Sequence, residues 1–160
     1  MHASFIILAV ITSLSSSASA IGRVLVFNNC SFDVWPWSLD TIGENGILSR
    51  LRPEEQQAFP MNPQPGGSSV SVAVSPGALS SGAARTIFGY QLTETGVYYS
   101  LCNQFGDSFR PFPVSVHPLD GKGFRCIPFE WPDGTNPGGQ APVLTCPTET
   151  RIRVTLCGGL

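Results

Sequence analysis

Charge is scarce in this chain: charged residues make up 12% of it and the net charge is −2. Lysines and arginines form no run anywhere along the sequence, which removes the electrostatic argument for nucleic acid or an anionic membrane surface. Histidine is scarcer still, with only His2 and His117, and no Cys-x-x-Cys pair exists, so zinc-site spacing is missing. No G-x-S-x-G elbow and no cofactor motif occurs, and neither metal nor cofactor is expected. No apolar run reaches the roughly 20 residues that a membrane helix needs. Past the first twenty residues, no segment shows a helical period.

What is present begins with a short apolar run, Phe5 to Ile11, followed by a serine-rich stretch ending Ala18-Ser19-Ala20. An apolar core leading to a small-x-small site is the pattern of a secretory signal peptide. The expected product is therefore residues 21–160, a single exported domain. A domain of about 140 residues buries about two-thirds of its unfolded surface, enough for a real core. The chain is 42% hydrophobic, with 17 glycines and 14 prolines, a composition that suits short strands joined by many turns.

The strand signals are numerous. Gly22 to Phe27 is β-branched and alternating, and Phe32 to Trp37 continues or pairs with it. In the latter, Phe32 and Val34 share one face and Asp33, Trp35 and Trp37 the other. Pro36 lacks a ladder donor, which places this segment at a sheet edge or a bulge. Ile47 to Leu51 and Gln56 to Phe59 are short candidates flanking an Arg52–Glu55 turn. Val70 to Val74, Ala84 to Leu92, Val97 to Leu101, Pro113 to His117 and Arg151 to Leu156 complete the set, and Trp131 to Pro142 reads as a long loop. The pattern is that of an all-β sandwich.

All five cysteines (Cys30, Cys102, Cys126, Cys146, Cys157) lie in the exported part, which reads as a disulfide framework with one left over. Count alone leaves the connectivity open. Three stretches go further. They are Val26-Phe27-Asn28-Asn29-Cys30-Ser31-Phe32-Asp33-Val34-Trp35, the tyrosine-rich Val97 to Phe109 segment containing Gly106-Asp107-Ser108-Phe109, and Thr145-Cys146-Pro147 through Arg151 to Cys157. In this order and spacing they resemble the thaumatin-like superfamily, in particular its small fungal branch of the Blastomyces yeast-phase-specific (Bys1) type. The resemblance implies a thaumatin-like antiparallel β-sandwich stapled by Cys30–Cys157 and Cys126–Cys146. Cys102 is then unpaired, either a buried thiol packing as a small hydrophobe or the link of a disulfide-joined homodimer.

Some members of that superfamily carry an acidic cleft tied to β-1,3-glucan. Glycoside hydrolysis needs two carboxylates at defined separation, and here Asp107 matches one cleft acid only. Ser100 stands where a second aspartate is expected, and the glutamate would fall at Phe88-Gly89-Tyr90, which holds no acid. Arg85 matches the cleft arginine loosely. The implied function is that of a small secreted, non-catalytic protein that binds cell-wall polysaccharide or an extracellular protein partner, of effector or antimicrobial type. The alternatives are a residual β-1,3-glucanase using Asp107 and a structural cell-wall protein. Candidate ligand-binding residues are Trp35, Trp37, Trp131 and Asp107, with coverage of the tryptophans by loops as the competing reading.

Overall fold

The computed structural model describes residues 21–38, 48–121, 123, 125–138 and 141–160. The signal-peptide expectation for residues 1–20 lies outside them, as does Ile47. The chain forms β1 (Arg23–Asn28), β2 (Trp35–Trp37), β3 (Gln56–Pro60), β4 (Ser68–Ala73), one short helix α1 (Ala78–Ser81), β5 (Arg85–Leu92) and β6 (Val97–Gln104). It continues with β7 (Val114–Pro118), β8 (Phe129–Trp131), β9 (Leu144–Cys146) and β10 (Arg151–Leu156). Two five-stranded sheets result, in the orders β3-β1-β10-β7-β8 and β2-β4-β5-β6-β9. No helix among the described residues is long and apolar enough to cross a membrane.

Alternation builds the sandwich. In the first sheet Val24, Val26, Ile152, Val154, Val114 and Val116 all turn inward and are buried. In the second, Val70, Val72, Phe88, Tyr90, Tyr99 and Leu101 meet them, with the Phe88 and Tyr99 rings stacked at 5.6 Å. A buried side chain of this size contributes about 1.5–3 kcal/mol by leaving water. The Tyr99 phenol is caught in this layer, its Oη 3.6 Å from Cys146 Sγ. Burial pushes its pKa up to about 12.

The expected antiparallel sandwich has one exception: β1 and β10 run parallel, Asn28 level with Leu156. Parallel strands in register bring both chains to the same sheet end, so the cysteines just beyond them meet. Cys30 and Cys157 are disulfide-bonded there, Cα atoms 4.9 Å apart, and Cys126 is bonded to Cys146. Buried Asn28 secures that end, donating to the Phe32 and Leu51 carbonyls at 2.9 and 3.0 Å and accepting from Cys30 N–H. Leu51 makes only an isolated bridge to Val34, so the segment before the Arg52–Glu55 turn is not the expected strand.

Candidate ligand groove on the second sheet

The outward residues of β4, β5 and β6 line up in rows because their register is antiparallel. Ser69, Gly89 and Ser100 form one row, and Ser71, Ile87 and Cys102 the next. Trp37 extends the second row through its pairing with Ser71. Over these rows lie two adjoining depressions that share Ser69. The larger, about 430 Å³, is lined by Gly67, Gly89, Gln91, Tyr98, Ser100 and Val143 among others. The smaller, about 240 Å³, takes in Trp37, Ser71, Leu79, Arg85, Ile87 and Gln104. No described residue lining either depression is acidic. Glycine at 89 keeps the floor low, since a Cβ there would project toward Ser100 Oγ, 3.9 Å away.

Of the expected aromatics only Trp37 lines this trench, and two unexpected rings stand at or near it. Tyr98, 43% exposed, forms a wall of the larger depression, and Phe105, 64% exposed, stands beyond the end of β6. Phe105 holds a left-handed backbone (φ 62°), an arrangement that costs a non-glycine residue about 1 kcal/mol. Its ring lies 5.1 Å from the Arg85 guanidinium carbon, which is also 6.0 Å from the Trp37 ring. Arg85 Nε donates to Gln104 Oε1 at 2.7 Å, so this cation is fixed between two rings.

The four residues expected to bind ligand fare differently. Trp131 lies on β8, not a loop, and its indole is only 1% exposed in the main core, which removes it as a ligand contact. Trp37 is covered in a satellite core with Leu48, Ala73 and Ala78, against which Trp35 packs. The helix α1 segment supplies that cover, and its four residues carried no readable period. Asp107 accepts from Asn103 Nδ2 at 2.7 Å and lines neither depression, so it stands apart from Gly89 and Ser100. Cys102 is free and exposed, not buried as a small hydrophobe, because β6 alternation turns position 102 outward. Neighbouring protein still displaces enough water to raise its thiol pKa. Local sequence does not mark Tyr98 and Phe105, because the exposure of the first is set by the sheet's outer face and that of the second by the turn after β6.

Beside the trench, Val143 also borders an apolar hollow of about 510 Å³ with Arg125, Ile127, Pro142 and Leu144. The chemistry on offer is thus an open trench lined by hydroxyls and amides, with no acid among its described residues and one cation, Arg85, in its smaller part. It suits binding a neutral polymer and offers no carboxylate pair for hydrolysis.

The Bys1 family, Blastomyces yeast-phase-specific protein, matches this chain over residues 11–158. An antigenic thaumatin-like protein of Arthroderma benhamiae is 28% identical over 161 aligned positions, covering 95% of this chain and 79% of that one. The structure of the protein elicitor MoHrip2 from Magnaporthe oryzae superposes with a TM-score of 0.65 at 22% identity, over 86% of this chain and 99% of that chain. The shared sandwich, the family match over residues 11–158 and the two disulfides agree, and the chain belongs to the Bys1 family of thaumatin-like proteins.

Proposed function

We propose that this chain is a secreted, non-catalytic binding protein whose trench on the second sheet takes a neutral cell-wall glycan. Residues 1–20 act as the signal peptide and 21–160 as the exported domain. The observation that carries the reading is the row Ser69–Gly89–Ser100: the floor of the trench is hydroxyls and a bare backbone where hydrolysis would need acids. Disulfides closing both the domain and its last long loop fit an oxidising compartment. Tyr98 offers a flat apolar ring beside polar groups, the combination that seats a sugar face.

The test is co-sedimentation with insoluble β-1,3-glucan, chitin and mannan, alongside reducing-sugar release from laminarin. Binding to at least one polymer, weakened about two- to tenfold by Tyr98→Ala, is expected, since an aromatic contact is worth roughly 0.5–1.5 kcal/mol. Full binding by Tyr98→Ala would sink the groove assignment. Laminarin hydrolysis abolished by Asp107→Asn would restore the glucanase reading. A protein partner is the second reading, favoured by the exposed Ile127 and Val143 at 49% and 58%. Absence of binding to all three polymers would move the weight there.

A further inference from the structure

The cations that are scattered along the sequence are not scattered in space. On the first sheet, Arg23 of β1 lies level with Arg151 of β10, and Arg153 two residues on lies level with His117 of β7. All four alternate outward, opposite the buried Val24, Ile152 and Val116. Neighbouring strands are about 4.8 Å apart and residues i and i+2 about 7 Å apart, so three guanidiniums and an imidazole share one small patch. Nine lysines and arginines serve the whole chain, and three of them meet here.

The patch is only partly neutralised. Asp120 takes Arg151 in a two-point ion pair, with Nη2 to Oδ1 at 2.8 Å. Glu130, at the far edge, is occupied by the Leu160 backbone N–H at 2.8 Å. Among the described residues neither Arg23 nor Arg153 has an ion-pair partner. The Arg153 Nε is shut off from water and makes no hydrogen bond. Leu25, level with Arg153 on the same outward side, is only 7% exposed. An arginine stem can cover such an apolar neighbour while its charged end reaches toward water.

We propose that this face of the first sheet binds an acidic polysaccharide, with Arg23 and Arg153 engaging anionic groups of the chain and Arg151 shared with Asp120. The cations are spread along a flat sheet instead of converging on a pocket, which suits a repeating polyanion over a single small ion. Guanidiniums pair two-point with carboxylates and phosphates alike, so uronate and phosphate-bearing glycans share the chemistry. The site lies on the sheet opposite the trench and does not depend on it.

The experiment is retention of the full exported domain on immobilised polygalacturonate and on phosphorylated mannan, at low and at raised salt, with laminarin as the neutral control. Retention by at least one acidic polymer that falls steeply with salt is expected. The stronger of the two columns identifies the anion. Arg23→Gln, at an exposed position, and Arg153→Gln, at a half-buried one, should each weaken binding about threefold and together about tenfold, the scale of single exposed charge pairs. Asp120→Asn, which releases Arg151, should strengthen it about threefold. Arg50→Gln and Arg52→Gln, elsewhere on the molecule, should change nothing. No retention by either polymer, retention unaffected by Arg23→Gln/Arg153→Gln, or weakening by Asp120→Asn would each overturn the proposal. So would preference for duplex DNA of matched charge. Laminarin binding that persists in every variant keeps this result separate from that for the trench.

Discussion

Replacing Gly89 by valine should make the protein more stable and less able to bind. Gly89 sits in the middle of β5, between inward-facing Phe88 and Tyr90, with its own α-carbon at the trench floor. Its backbone is not in the left-handed region, unlike Gly67 nearby at φ 91°. A Cβ at position 89 meets nothing closer than Ser100 Oγ at 3.9 Å, which is ordinary contact. The substitution therefore removes the entropic burden of glycine in a strand, roughly 0.5–1 kcal/mol, and adds a residue that favours pleated backbone, on a scale spanning about 1 kcal/mol. A net gain of about 1 kcal/mol corresponds to about 3–5 °C in Tm for a domain of this size. The two new methyl groups meanwhile occupy the floor on which a sugar ring would rest. Thermal melts by circular dichroism and co-sedimentation with insoluble glucan read the two effects separately. Gly67→Val is the contrasting control. It lines the same trench, but its Cβ would lie 3.0 Å from the Tyr90 carbonyl oxygen, so it should block binding and lower Tm together. A Gly89→Val protein that melts lower than the parent would refute the backbone argument, and one that binds normally would refute the trench as the site.

Two further outcomes concern the scaffold. Converting Cys30 and Cys157 to alanine should cost about 5 kcal/mol and converting Cys126 and Cys146 about 3, since the loop-closure term grows with length and the bonds span 127 and 20 residues. Urea titrations that rank the two pairs equally would contradict the entropic account. Tyr99 sets an alkaline limit. Its folded pKa, about 12, stands above the unfolded value near 10, so the unfolded chain ionises first. The contribution is complete below pH 10 and about 2 kcal/mol is lost as pH rises toward 12. Denaturation midpoints across that window should fall in the parent and hold steadier in Tyr99→Phe.

Much of the sandwich was legible because long strands display their period: β4, β5, β6 and β10 each alternate over enough residues to declare an inward face. Strands β8 and β9, three residues each, are too short to carry a period, and that is why Trp131 read as a loop residue. Pro36 correctly marked an edge strand, β2, yet nothing in Trp35-Pro36-Trp37 told that α1 and Leu48 would cover it. The missing acids at positions 89 and 100 were visible from the family resemblance, but only the β5–β6 register sets them face to face. The cationic face was least legible of all. Arg23 and Arg151 are neighbours solely because the first and last strands pair, and no local window of sequence contains both.

That pairing also governs when the molecule can come into being. β10 is the last strand in chain order and the middle strand of its sheet, flanked by β1 and β7. Until the ribosome has delivered it, β1 lacks a neighbour on one side and β7 has no partner toward the centre. The β1–β10 pairing that closes the first sheet therefore joins early residues to late ones, the arrangement that makes folding slow and dominated by loop closure. An emerging chain of this kind exposes unpaired strand edges throughout synthesis. The first sheet is therefore completed only when its latest strand arrives, and the position of that one strand sets the order of assembly.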